Sequence, residues 1–280
     1  MKQVIDSKRE PLWTYFKNIY RYRSLVYLFA KRGLKVQYAQ TAMGIIWSAI
    51  QPLTGLLIFT LFFDKWINIG REHLTYEYPL FAFSGMVCWY YFTFLIGHVG
   101  NSLINQQHLI TKVYFPKLIL PLSTVLVGMV EFCISLVLLF ILMLFFKVTG
   151  GEGALQYPTI NIIFMPLVLV LVIINGLAIG IWLSALTVRY RDFQHIIPYI
   201  VNFGIWLTPV FYPNTIVPKE YQYIVYMNPM AGTTAFFRWA LMGDTFPEVQ
   251  YLYAFIPVGI LLFSGIWYFR KVESKMADMI

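Results

Sequence analysis

Charge is what this chain most conspicuously lacks. Asp, Glu, Lys and Arg make up 12% of its 280 residues, about half the ~25% of an ordinary soluble domain. That scarcity excludes a soluble globular fold. Cysteine is almost absent too: Cys88 and Cys133 are the whole complement, both inside apolar runs, which leaves no basis for a disulfide framework or a metal site. The four histidines (His73, His98, His108 and His195) are scattered. There is no G-x-x-x-x-G-K-[ST] loop, no H-E-x-x-H, no G-x-S-x-G and no pair of carboxylates within one apolar run. P-loop binding of ATP by this chain is therefore excluded, an enzyme reading has nothing to rest on, and no cofactor or metal is expected. The first long apolar run begins near residue 42, so no cleavable signal peptide is expected either.

What fills the space is apolar. Hydrophobic residues account for 59% and aromatics for 19%, with a mean hydropathy of +0.66. Runs of about 20 apolar residues are long enough to cross a bilayer, and they predict an all-α polytopic membrane protein. Six transmembrane helices are expected, at about 42–63, 80–99, 118–146, 160–188, 196–211 and 251–269, within a membrane domain of 42–270. Gln51-Pro52 marks a kink in the first. Between spans five and six, residues 213–242 are broken by Pro213, Pro218 and Pro229, and the apolar piece Ala231–Met242 is too short to cross. Interrupted apolar segments survive in a membrane only where protein or a water-filled cavity covers their freed backbone groups, so this region predicts re-entrant helices. Residues 1–41 form a basic N-terminal segment. In it Leu12, Tyr15, Phe16, Ile19 and Tyr20 recur at i, i+3, i+4, i+7 and i+8, the pattern of an amphipathic helix lying on the membrane surface. Residues 271–280 are a short tail.

The net charge of +8 invites a nucleic-acid reading, but its placement excludes one. Nine of the 21 Lys and Arg (Lys2, Lys8, Arg9, Lys17, Arg21, Arg23, Lys31, Arg32 and Lys35) precede the first span. Placing both termini in the cytoplasm puts 16 basic residues inside and five outside, the asymmetry that orients membrane proteins and meets anionic lipid. No internal repeat gives the chain two pseudo-symmetric halves. A second copy is therefore expected to supply the other half, as a two-fold homodimer.

The stretches "KRGLKVQYAQTAMGIIWSAIQPL" (31–53), "KVYFPKLILPLS" (112–123), "VRYRDFQHIIPYI" (188–200), "LTPVFYP" (207–213) and "MNPMAGTTAFFRWALMG" (227–243) resemble the permease subunits of ABC-2-type polysaccharide exporters. The likeness runs from about residue 10 to the C-terminus. Gly33, Gln37 and Ala39 stand where relatives often carry an acid and two basic residues, and Thr233-Thr234-Ala235 replaces a stretch that often contains Glu. The resemblance implies a permease in the cytoplasmic (inner) membrane working with two copies of a separate ABC ATP-binding subunit. That partner would bind ATP and Mg. The cargo implied is a polysaccharide, of O-antigen type, carried on undecaprenyl pyrophosphate. The alternatives are an ABC-2 exporter of small drugs or lipids, a proton-coupled exporter, and a membrane-bound transferase acting on lipid-linked sugars.

Three candidate sites follow. The connector Asn101–Phe115 is expected to be the helix that docks on the ATPase, with Leu103, Ile104, Leu109 and Ile110 as apolar anchors beside Gln106, Gln107, His108 and Lys112. Trp89, Tyr90, Tyr91 and Phe94 lie deep in span two, where flat rings with polar tips suit a sugar chain sliding past; an interfacial belt is the alternative. Lys31, Arg32 and Lys35, with Met43-Gly44, before and at the start of span one, and Arg189 and Arg191 closing span four, are expected to capture the lipid pyrophosphate at a cytoplasmic gate. Lone Glu131, inside span three, is either a proton relay or a carboxyl group satisfied within the bundle.

Overall fold

The computed structural model describes residues 11–38, 46–69, 74, 76–110, 112–150, 158–273 and 276. Among them the regular structure is helical throughout. Five helices are long and apolar enough to cross a membrane: Ile46–Trp66, Tyr78–Gly100, Ile119–Thr149, Ile160–Arg189 and Val249–Glu273. These match five of the six expected spans to within a few residues, although 42–45 lie outside the described residues.

Helix α4 (Tyr78–Gly100) is the axis of the bundle. Its most apolar stretch is 83% buried, against 11% for Ile46–Trp66, so side chains all round α4 meet protein. Helix α8 (Met165–Arg189) packs along it because Gly176 and Gly180 lie one turn apart on the contact face. A Cβ at Gly176 would stand 2.7 Å from Leu95, and one at Gly180 would stand 2.8 Å from Val99. Close approach through small residues is how apolar helices gain van der Waals contact where no hydrophobic drive separates them from lipid. Helix α7 (Ile119–Thr149) covers a second side, with the Tyr91 hydroxyl donating to Val125 O at 3.1 Å.

Before the first span there are two helices where the periodicity predicts one. In α1 (Leu12–Arg21) the expected stripe is divided: Tyr15 and Ile19 are buried, while Leu12, Phe16 and Tyr20 remain exposed. Helix α2 (Arg23–Tyr38) climbs along α7. Its Phe29 ring lies 5.5 Å from Phe115, Gly33 sits beneath Val127, and the Gln37 amide donates to Glu131. Helix α3 (Ile46–Phe59) passes through Pro52 and widens into a π-helical turn, Thr60–Trp66.

The fifth expected span is the exception. Helix α9 (Phe193–Leu207) has 15 residues, about 22 Å of rise, short of a ~30 Å hydrocarbon core. A turn at Thr208–Val210 and the irregular segment after it continue the path. Ile197 lies against Gly100, Gly204 against Trp89, and Val210 against Gly85. At the far end the Tyr78 hydroxyl donates to Phe211 O at 2.9 Å. Residues 197–211 thus run the length of α4, from its Gly100 end to its Tyr78 end. Past them come a short helix α10 (Gln222–Tyr226) and a buried helix α11 (Pro229–Met242). Asn228 caps α11 by accepting the Met230 N–H at 3.0 Å, and Gly243, at φ +75°, ends it in the left-handed region that favours glycine. The last helix, α12 (Phe255–Glu273), packs on α8.

Candidate functional site

A partly open cavity of about 660 Å³ lies between α2, α3, α4, α7 and α9. Its α4 wall carries Tyr90, Tyr91, Phe94, Gly97, His98 and Asn101, positions that share one face of a helix. Trp89 is turned away: it is 4% exposed, wedged against Gly204 and 5.2 Å from the Phe92 ring. Consecutive residues on an α-helix point about 100° apart, so an unbroken aromatic run cannot share one face. Three of the four aromatic candidates reach the cavity, and the fourth belongs to the core.

The opposite wall is polar. Glu131, Ser135, Gln37, Ser48 and Gln51 line it. The Glu131 carboxylate accepts from the Gln37 amide. Tyr38 and Ser48 place their hydroxyl oxygens 3.4 Å apart. The His98 ring stacks on Phe94 at 3.8 Å, with Nδ1 3.0 Å from Phe94 O, where the ring nitrogen acts as the donor. No Lys or Arg appears among the described lining residues. Flat rings, amides, hydroxyls and a single carboxyl group suit a neutral hydroxylated ligand, whereas a phosphate would meet Glu131 with no cation to offset it.

The basic candidates lie elsewhere. Lys31, Arg32 and Lys35 are exposed on α2, which packs on α7. Arg189 and Arg191 are exposed at the end of α8. Arg189 lies 5.1 Å from the Tyr190 ring centre. Within one chain the two clusters are carried by different helix pairs. Met43 and Gly44 lie outside the described residues.

The connector after α4 is two single turns, α5 (Ser102–Asn105) and α6 (Gln107–Ile110), rather than one helix. Leu103 and Ile110 point inward, 1% and 8% exposed, and therefore belong to the chain's own core. Ile104, Gln106, Gln107 and Leu109 are half-buried, while His108, Lys112, Val113 and Tyr114 face outward. Lys117 closes the connector by donating its ammonium to Ile110 O at 3.4 Å and Val113 O at 3.3 Å. Burial lowers the Lys117 pKa and nearby Glu273 opposes that shift.

Arg238, one of the five basic residues expected on the outer side, lies within the apolar piece Ala231–Met242. It is 5% exposed in the middle of α11. Its Nε donates to Ser84 Oγ at 3.2 Å, Nη1 to Pro209 O at 3.1 Å, and Nη2 to Phe81 O at 3.2 Å and Val210 O at 2.9 Å. The guanidinium also lies 3.6 Å from the Phe81 ring centre. The end of α9 and the prolines after it free the Pro209 and Val210 carbonyls, and Arg238 satisfies them where water is excluded. An arginine inside a 12-residue apolar run was the signal available in the sequence.

Residues 24–242 match the sequence model of the family described as ABC-2 type transporter. An O-antigen export system permease protein, RfbA, from Myxococcus xanthus is 27% identical over 94% of this chain and 98% of its own length. A protein of the same name from Klebsiella pneumoniae is 22% identical over 91% of this chain and 95% of its own. The polysialic acid transport protein KpsM of Escherichia coli is 21% identical over 88% and 92%. With a match across most of its length and an array of apolar helices, this chain belongs to the ABC-2 type transporter family and is a multi-pass membrane protein.

Proposed function

We propose that the chain is the permease subunit of an ABC exporter that carries a lipid-linked polysaccharide of O-antigen type across the cytoplasmic membrane. The observation that carries this reading is the end-to-end likeness to permeases named for O-antigen export, 94% of this chain against 98% of the first relative. The cavity of Tyr90, Tyr91 and Phe94 supports it, because its lining fits a neutral sugar chain.

As an ABC-2 permease the chain works with an ABC ATP-binding subunit, and ATP hydrolysis belongs to that partner. Two copies of each subunit make up the exporter in this reading. The exposed apolar faces of α3 (Trp47, Leu57, Ile58) and α9 (Tyr199, Phe203, Trp206) supply the surface that a second copy would cover. The basic excess supports an N-terminus in the cytoplasm. The C-terminus then shares that side only if 197–211 crosses the membrane, which its passage along α4 supports. The Gly100 end of α4 becomes the cytoplasmic end. There Lys31, Arg32, Lys35, Arg189 and Arg191 would hold the pyrophosphate of the lipid carrier, whose charge the cavity has no cation to receive.

Deleting the gene tests the reading. Surface polysaccharide should disappear while the lipid-linked polymer accumulates on the inner face, and restoring the chain together with its ATPase should reverse both. Unchanged surface polysaccharide with altered drug sensitivity would instead establish a small-molecule exporter.

A further inference from the structure

A second cavity, of about 540 Å³, lies at the opposite end of α4, among Tyr76, Pro213, Asn214, Arg238, Asp244 and Tyr251. Its size falls in the ~300–1,000 Å³ range of ligand sites. Asp244 and Glu248 are its acids, and each already gives one oxygen to a tyrosine: Tyr76 donates to Asp244 at 2.9 Å and Tyr226 to Glu248 at 2.7 Å. Asp244 also faces the positive charge of Arg238.

Charged donors are scarce in this lining: among the described residues Arg238 is its one cation, and the remaining side-chain donors include the neutral hydroxyls of Thr215, Thr245 and Tyr251. The four Arg238 hydrogen bonds go to Ser84, Phe81, Pro209 and Val210. The Gln222 amide donates to Val217 O at 3.3 Å. Pro209, Pro213 and Pro247 have no N–H to offer. Asn214 Oδ1, by contrast, is buried and has no hydrogen-bond partner among the described residues, so it is an acceptor waiting for a donor. The apolar part of the lining is flat: Tyr251, and Phe246, which is 64% exposed and stands edge-on to Trp239 at 5.1 Å.

Such a lining selects by chemistry. A phosphate or carboxylate brings acceptors to a wall already rich in them. A metal ion finds two carboxylates already engaged by tyrosines, and no group of three or more metal-ligating side chains occurs among the described residues. A neutral polyol fits both halves of the wall: its hydroxyls donate to Asn214 and the carboxylates and accept from Thr and Tyr hydroxyls, and its C–H faces meet the rings. We propose that this cavity binds a neutral saccharide unit. The proposal rests on the export reading only for the natural source of that sugar, a residue of the polymer held as it leaves the membrane.

The test uses the full-length chain in lipid nanodiscs without ATP or its partner. Thr215, exposed on the cavity rim, is changed to Cys, with Cys133→Ser removing the exposed native thiol. Maleimide labelling at position 215 is followed against neutral hexoses, 6-deoxyhexoses, N-acetylhexosamines and inorganic phosphate. At least one neutral sugar should slow labelling saturably, and phosphate should not. Phe246→Ala, which removes a mostly exposed ring, should weaken that protection about tenfold, and Asn214→Leu should weaken it independently. The proposal is overturned if no sugar protects, if phosphate protects, or if both variants leave protection unchanged. The export reading is measured apart from this, by surface polysaccharide in cells. Protection without any role in polysaccharide export would leave the site standing and remove that reading; export without protection would do the reverse.

Discussion

The Tyr15 hydroxyl donates to Glu273 at 2.7 Å, joining the first described helix to the end of the last. The other oxygen of the same carboxylate accepts the Lys117 backbone N–H at 2.7 Å. Lys117 in turn holds the connector through Ile110 O and Val113 O. The N-terminal helix, the last span and the connector are therefore one hydrogen-bonded corner. Tyr15→Phe removes a bond to a charged acceptor, worth ~1.5–3 kcal/mol, and should lower the thermal midpoint of the purified protein. Burial, and after it the Glu273 charge, raise the Tyr15 pKa above its ordinary value. A raised folded pKa makes the contribution full below the unfolded phenol pKa of ~10 and loses it as pH climbs beyond that value. The stability gap between wild type and Tyr15→Phe should hold steady from neutral pH and close only in alkali.

Arg238 offers a sharper test of packing. Arg238→Lys keeps the charge but cannot reach Ser84, Phe81, Pro209 and Val210 together, and each orphaned buried carbonyl costs ~1–3 kcal/mol. Loss of folded, membrane-inserted protein is expected. Gly85→Ala should mimic it without touching any charge. Its Cβ would stand 2.7 Å from Arg238 Nη2 and 2.9 Å from Val210 O. Thermal melts of the two variants should fall together. A native melt for Gly85→Ala would mean that the chain after α9 yields to accommodate the methyl group.

The spans were legible because ~20-residue apolar runs declare themselves whatever they pack against. Helix α2 was not, since its basic residues and mixed periodicity conceal a face that fits α7 through Gly33 and Gln37. The depth of the aromatic block could be read from position in the run. Which ring faced the cavity depended on the rotation of α4, and Gly176, Gly180 and Gly204 on the neighbouring helices set that rotation. Leu103 and Ile110 looked like anchors for a partner because hydrophobicity does not say which protein buries a side chain. The Gln37–Glu131 hydrogen bond spans 94 residues, and no local pattern encodes a contact of that range.

The split within the aromatic block makes the next prediction. Trp89→Ala should empty a core site between α4 and α9, a class of change that costs ~3–5 kcal/mol, and so reduce the amount of folded protein. Tyr90→Ala removes a half-buried ring at the cavity wall. Export per folded molecule should fall in Tyr90→Ala and stay near wild type in whatever Trp89→Ala survives. Surface polysaccharide normalised to membrane abundance reads the difference, and equal normalised export in the two variants would remove Tyr90 from the pathway.

Docking of the ATPase is the last prediction, and the connector's geometry decides which residues report on it. An acidic substitution at Ile110 would bury a carboxylate in the chain's own core, where an unpaired charge is prohibitively costly. Lost co-purification in that variant would record misfolding. Val113 and Tyr114, 53% and 70% exposed, stand on the outer side of the same connector beside Lys112. Two exposed apolar residues next to a cation are what a partner groove requires, and their replacement leaves the core intact. Val113→Asp with Tyr114→Asp should therefore abolish co-purification with the ATP-binding subunit while the thermal melt of the permease alone stays unchanged. Ile110→Asp should lower that melt first. Undiminished pairing in the Val113/Tyr114 double variant would move the contact off the connector, and the exposed polar positions on α1 and α2 would be the next surface to test.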